Sequence, residues 1–290
     1  MKINKFFSVF IFLILILSPA CFANNLSVSN AALTTPNTAE GTTQVQFDIS
    51  WSNSWRNSIN YDAAWVFVKY STDSGTSWSH ATLKKYGTTP TGFSTGSGTA
   101  LEIVVPSDKK GAFIQRSGSG SGPVSTTSVQ LVWDYSGDGV SNSATVRVKV
   151  FGIEMVYIPT ASFYLGDGNG SSESTRALHV TDNTAVQLTS GQLANVTVDT
   201  NSGDDIDTSP VTIHPSGATG ITSNSGFPTG YYAFYLMKYE ITQGQWVEFF
   251  NTLTSAQKTT RDITAAGVKN TDAVLFRNTI AWTSGDATAT

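Results

Sequence analysis

The chain has 290 residues, a formal net charge of −4, only 13% charged residues and a single cysteine. That length holds about two domains at ~100–200 residues each, and the absence of a basic stripe disfavours nucleic-acid binding. Past the first two dozen residues, no apolar run approaches the ~20 residues needed to span a bilayer.

The N-terminus reads as an export signal. Lys2 and Lys5 give a positive start, Phe6 to Leu17 is apolar apart from Ser8, and Pro19 closes the run. Cys21-Phe22-Ala23 puts small residues at the −3 and −1 positions for cleavage before Asn24. Cleavage before Cys21 with acylation is the alternative and would tether the chain to a membrane. Ser18, however, stands three residues before it, where a large aliphatic residue is the rule. With simple cleavage the mature chain has no cysteine, which excludes disulfides, thiolate nucleophiles and cysteine metal sites within it. Loss of Lys2 and Lys5 also takes the formal charge from −4 to −6. The expected location is outside the cytoplasm (periplasm, cell surface or medium), by Sec-type bacterial export.

From Asn24 to Phe151 period-two alternation predicts a β module. Val45, Phe47, Ile49 and Trp51 alternate with Gln46, Asp48 and Ser50, which in a strand puts the four apolar side chains on one face. Val129, Leu131, Trp133 and Tyr135 repeat the pattern, as do Val146, Val148 and Val150. Ala64–Tyr70 and Leu101–Val105 read as more deeply buried strands. Many short strands without helical periodicity predict a β-sandwich of immunoglobulin-like or jelly-roll topology. Trp51, Trp65 and Trp133 sit on the apolar phase and are expected in the core. Trp55 and Trp78 fall in turn-like contexts, where stacking on a glycan is the alternative to plain packing.

No Pro/Ser-rich spacer follows, so direct packing is expected between this module and a second one over 152–290. Within 166–230 lies a Gly/Ser/Thr/Asn-rich insert longer than rigid loops usually run, with Ala185–Leu188 and Leu193–Val198 as hairpin candidates. Thr242 with Gln245 is a capping-box pattern for a helix start, and Thr254 with Gln257 is another. Trp246, Phe249, Phe250 and Leu253 form one apolar helical face.

Two segments carry a resemblance. Met155, Val156, Ile158, Pro159, Phe163 and Gly166 match the MV-x-IP-x-G-x-F-x-MG opening of formylglycine-generating (sulfatase-modifying factor) domains, departing at Ala161 and Leu165. Phe234, Met237 or Leu236, Glu240, Thr242, Trp246 and Phe249 match the family's next element, with Ile241 for Val. The stretch from Ala64 to Leu83 further resembles a β module that precedes such domains in some secreted bacterial proteins. The resemblance implies a mainly β N-terminal sandwich followed by an incomplete α+β formylglycine-generating domain of C-type-lectin-like fold. The chain is then the N-terminal portion of a family member. The family oxidises a substrate cysteine with copper and oxygen, using a cysteine pair in its C-terminal part. No catalytic, cofactor-binding or metal-binding residue is therefore carried over, and the chain is expected to be inactive. Copper and calcium belong to the full-length parent by resemblance only. The helix face at 246–253 is expected to lie exposed for lack of the missing elements. The alternative is a secreted or cell-surface binding protein built on the same lectin-like scaffold, with a protein substrate or surface glycan as partner.

Other motifs carry less. His80, His179 and His214 are isolated and lack metal-ligand spacing. The acidic stretch Asp199–Asp207 offers oxygen ligands of the kind calcium takes, with a solvated loop as the plainer reading. Asp134–Gly139 imitates half a calcium loop, but Thr145 occupies the twelfth position where Glu is needed, so a turn is expected. Gly166–Gly170 precedes no helix, and Gly118–Gly122 lacks the central serine of a nucleophile elbow.

Overall fold

The computed structural model describes residues 25–165, 178–179, 186–188, 195–198, 204–207, 232–264 and 279–289. The segment expected to be an export signal, most of the insert and His214 lie outside them. Ten strands come first: β1 (Ser27–Leu33), β2 (Thr43–Arg56), β3 (Tyr61–Ser71), β4 (Ser79–His80), β5 (Gly87–Thr88), β6 (Ser97–Gly98), β7 (Leu101–Val105), β8 (Ala112–Arg116), β9 (Gly120–Trp133) and β10 (Arg147–Ile158). Then follow β11 (Phe163–Leu165), β12 (Leu178–His179), β13 (Val186–Leu188), β14 (Asn195–Val198), β15 (Asp204–Asp207) and β16 (Phe234–Met237). Helices α1 (Gln243–Phe250) and α2 (Ser255–Thr260) and the short strands β17 (Ile280–Ala281) and β18 (Thr288–Ala289) close the order.

One curled antiparallel sheet dominates. Its path runs β5-β7-β8-β3-β2-β9-β6, with β1 on β2, β4 and β10 on β3, and β16 on β10. Strands β2 and β3 meet only through the hairpin pair Arg56↔Tyr61. Beyond that pair the sheet divides into two limbs, which close over a shared core. The alternation seen in the sequence builds this core: Val45, Phe47, Ile49 and Trp51 of β2 are all at most 2% exposed, opposite Val66 and Val68 of β3. Burial of this kind contributes ~25 cal/mol per Å² of apolar surface, the main term holding the limbs together.

Strands β3 and β7 depart from the sequence expectation. Trp65 does not join the core; it is half-buried on the other face of β3, tilted against Phe113 at a centroid distance of 4.6 Å. Almost every residue from Ala64 to Tyr70 is apolar, so the sequence hides the phase, and packing gives the core to Ala64, Val66, Val68 and Tyr70. Strand β7 is likewise not buried on both faces. Leu101, Ile103 and Val105 are buried, while Glu102 and Val104 are partly exposed. In the insert both candidate hairpin segments form strands, but with separate partners: β13 pairs with β11, and β14 pairs with β15.

Strand β10 runs without interruption through Gly152, pairing with β3 from Arg147↔Ser71 to Tyr157↔Tyr61. Its far end also pairs with β16, from Met155↔Met237 to Ile158↔Phe234. A Cβ at residue 152 would lie 2.8 Å from Leu26 Cδ2 and 3.1 Å from Val28 Cγ2. The absent side chain is what lets β1 approach β10 this closely.

Both helices begin with complete capping boxes, Thr242 with Gln245 and Thr254 with Gln257. The apolar face of α1 divides in two. Phe250 is 1% exposed, stacked on Trp246 at 4.5 Å and edge-on to Trp282 at 5.2 Å. Phe249 turns instead to the sheet, meeting Phe67 and Phe151 edge-on at 6.1 Å each. The expectation of an exposed face therefore fails at Phe250, because Ile280, Trp282 and Ala287 pack on that side of the helix.

Candidate functional site

The site is built where β16 leaves the sheet. Along β10 one edge is fully paired with β3, but the other is paired with β16 only from Met155 to Ile158. Among the described residues, Arg147 to Ile153 carry no partner strand on that edge. Continuing β16 in register would cover it. The chain instead turns away at Lys238 and enters α1 at Gln243, just beyond the Thr242 cap.

A buried ionic cluster holds that departure point. Lys238 Nζ lies 2.9 Å from Asp62 Oδ2, 3.3 Å from Glu154 Oε2, and donates to the Asn53 carbonyl at 3.0 Å. Both carboxylate side chains are 1% exposed and that of Lys238 is 9% exposed. A bulge shapes the receptor. The β2–β9 register shifts between Trp51 and Ser54, where Asn53 takes a left-handed φ of 55° that Asn tolerates better than most residues. The shift aims Trp51 Nε1 (3.0 Å), Ser54 Oγ (2.8 Å) and the Trp55 amide (3.1 Å) at Asp62. Glu154 accepts from the Leu26 amide at 3.1 Å. Desolvation by burial raises its pKa above the ordinary carboxylate value, opposed by the charge of Lys238.

Beside this cluster, β1, the free edge of β10 and α1 enclose a cleft of about 640 Å³. Leu26 and Val28 form one wall and Ile241, Trp246 and Phe249 the other, with Val150 to Ile153 between them. Cations gather around it. Lys69 Nζ stands 5.7 Å from the Phe249 ring centroid, with its pKa lowered by burial, and Lys149 is its cross-strand neighbour. Arg261 and Glu248 are exposed at the rim.

The residues singled out in the sequence fall elsewhere or are already engaged. Trp55 donates Nε1 to Asn60 Oδ1 at 3.2 Å, with Lys238 Nζ 5.1 Å from its ring centroid. Trp78 donates to the Gly75 carbonyl at 3.0 Å, with Lys149 Nζ 5.0 Å from its ring centroid. Each indole thus has a cation near its ring and its N–H spoken for. His80 stacks on Phe67 at 5.7 Å and hydrogen-bonds the Lys110 carbonyl, and burial lowers its pKa. Asp134–Gly139 is a turn whose acids serve the protein itself. Asp138 Oδ2 accepts from Trp133 Nε1 (2.7 Å) and the Thr82 amide (2.8 Å), and Asp134 Oδ1 pairs with Lys84 at 3.1 Å. Asp204–Asp207 forms strand β15 rather than a loop.

Among the described residues no group of three His, Cys, Asp or Glu side chains is placed to hold a metal, and no helix is long and apolar enough to cross a membrane. The Asp62–Glu154–Lys238 cluster escaped sequence reading. Its signal was present as single charges inside apolar runs, in Tyr61-Asp62-Ala63-Ala64 and Gly152-Ile153-Glu154-Met155, where a charge is almost never buried unless paired. No family model, curated protein or solved structure matches the chain.

Proposed function

We propose that this chain is an exported, non-catalytic binding protein whose ligand seats in the cleft between β1, β10 and α1. The observation that carries the reading is the cleft itself: about 640 Å³, within the ~300–1,000 Å³ range of ligand sites, and largely apolar and aromatic with a few polar groups at the rim. Export is supported by the Lys2/Lys5 start, the apolar run to Leu17 and the small residues at Cys21 and Ala23. We read the two limbs of the curled sheet as a β-sandwich, and β16 with α1 as part of a lectin-like scaffold packed against it. In the test, an apolar fluorescent probe such as 1-anilinonaphthalene-8-sulfonate is titrated against the chain. Saturable binding is expected, and Glu248→Trp, which fills the cleft without touching the Thr242 cap, should abolish it. Equal binding to both forms would rule the cleft out.

One observation favours a second reading, kinship with formylglycine-generating domains. The two segments that resemble that family, at 155–159 and 234–250, stand side by side, Met155 opposite Met237 and Ile158 opposite Phe234. Under this reading the chain remains inactive, since the chemistry needs a cysteine pair and Cys21 is the sole cysteine. Copper and calcium are then matters for a full-length parent. Incubation with copper, oxygen and a peptide carrying a sulfatase motif should leave that peptide's cysteine unconverted. Detection of an aldehyde would refute the inactivity.

A further inference from the structure

The geometry points to an extended polypeptide as the ligand: a segment added as a strand to the open edge of β10, in line with β16, with carboxylates facing Arg147 and Lys149. This deepens the binding reading above and rests on it.

The first argument is the edge. Each residue brings one backbone donor and one acceptor, and in an edge strand half of them face outward without a ladder partner. Strand β16 already demonstrates that this edge accepts an antiparallel neighbour, at four consecutive pairs from Met155↔Met237 to Ile158↔Phe234. Below Met155 the same edge continues as the floor of the cleft, where Val150, Phe151, Gly152 and Ile153 are all half-buried. A small apolar molecule would fill that volume and leave the backbone groups unanswered. A strand fills it and answers them, as in other cases of strand addition.

Side-chain alternation then sets the pattern of the segment. Val150 and Gly152 lie on the side of Leu26 and Val28, while Phe151 lies with Phe67 and Phe249 on the other. Cross-strand neighbours on one face interact directly, so apolar residues suit the Leu26 side. On the other face Arg147 and Lys149 follow Phe151 at alternate positions, and Lys69 is directly across from Lys149. Like charges in opposition are unfavourable. Among the described residues Lys69, Arg147, Lys149 and Arg261 make no ion pair. In a chain of net charge −4, such a concentration of cations calls for carboxylates from the ligand.

The test uses the full chain and a pool of heptapeptides that alternate Asp or Glu with apolar residues. Binding is read by hydrogen exchange and by affinity. Slowed exchange at residues 147–153 is expected, along with loss of binding when alternate peptide amides are N-methylated. Lys149→Glu, or Arg147→Glu as an independent variant, should weaken binding about tenfold through like-charge juxtaposition. The inference is overturned if N-methylated peptides bind equally well, or if a fatty-acid anion such as decanoate binds while no peptide protects β10. It is overturned too if the chain alone self-associates through those amides. A probe that binds saturably and is blocked by Glu248→Trp, with no peptide protecting β10, removes the strand inference and leaves the binding reading standing. Absence of both removes both.

Discussion

Replacing Lys238 with Met should lower stability by about 3–5 kcal/mol at neutral pH, the usual cost of leaving a buried charge uncompensated. The asymmetry of its two partners explains where the loss arises. Asp62 keeps donors from Trp51, Ser54 and Trp55, whereas Glu154 keeps the Leu26 amide. The effect should depend on pH, with a definite sign. The folded-state pKa of Glu154 is raised above its unfolded value, first by burial, with Lys238 acting the other way. Such a group contributes stability below the unfolded pKa and loses it as pH rises through the folded one. Removing Lys238 raises the folded value further, so the deficit in Lys238→Met should shrink as pH falls toward the ordinary Glu range of about 4.3. Adding Glu154→Gln should recover part of the loss at neutral pH. Urea denaturation of the three proteins between about pH 5 and pH 8 decides it. An equal deficit across that range would mean that Glu154 is not the group left stranded.

Phe250→Ala should cost about 3–5 kcal/mol, the range for truncating a buried aromatic, but the cost should fall on one part of the molecule. Phe250, stacked on Trp246 of its own helix, anchors α1 to Trp282 and Ala287, a cluster separate from the sheet core. Two polar contacts reinforce the same join: Asn251 and Ala287 exchange hydrogen bonds at 3.0 and 2.7 Å, and Lys258 Nζ donates to the Gly285 carbonyl at 2.8 Å. Hydrogen exchange should therefore show faster exchange at 243–260 and 280–289, while β2, β3 and β9 keep their protection. Uniform loss across the sheet would show that the helical part and the sheet unfold as one unit.

The sequence made the regular parts of this fold readable wherever polar and apolar residues alternate cleanly. Val45 to Trp51 is the clearest case, because a polar residue at every second position fixes which side faces inward. Ala64 to Tyr70 was opaque for the opposite reason, and Trp65 was misassigned with it. Both capping boxes were legible because their logic is local, spanning four residues. The candidate site was not legible, because it is assembled across distance. Glu154 and Lys238 come from segments far apart, and the free edge of β10 exists only because β16 leaves it at Lys238. No pattern within one window encodes the absence of a neighbouring strand. Nor does any single window reveal that Lys238 and Lys149, from distant segments, lie near the rings of Trp55 and Trp78.

The close approach at Gly152 also bears on the order in which the molecule is completed. The Leu26 amide finds its acceptor in Glu154, 128 residues further along, and Leu26 and Val28 rest on the bare backbone at Gly152. Strand β1 pairs with nearby β2, but its contacts with Gly152 and the Leu26–Glu154 bond must wait until those distant residues have been synthesised. Contacts so distant in sequence form slowly, since the loop between them must be closed first. Strand β1 is thus among the last parts to settle, and a nascent chain emerges from the ribosome with that strand still undocked from β10.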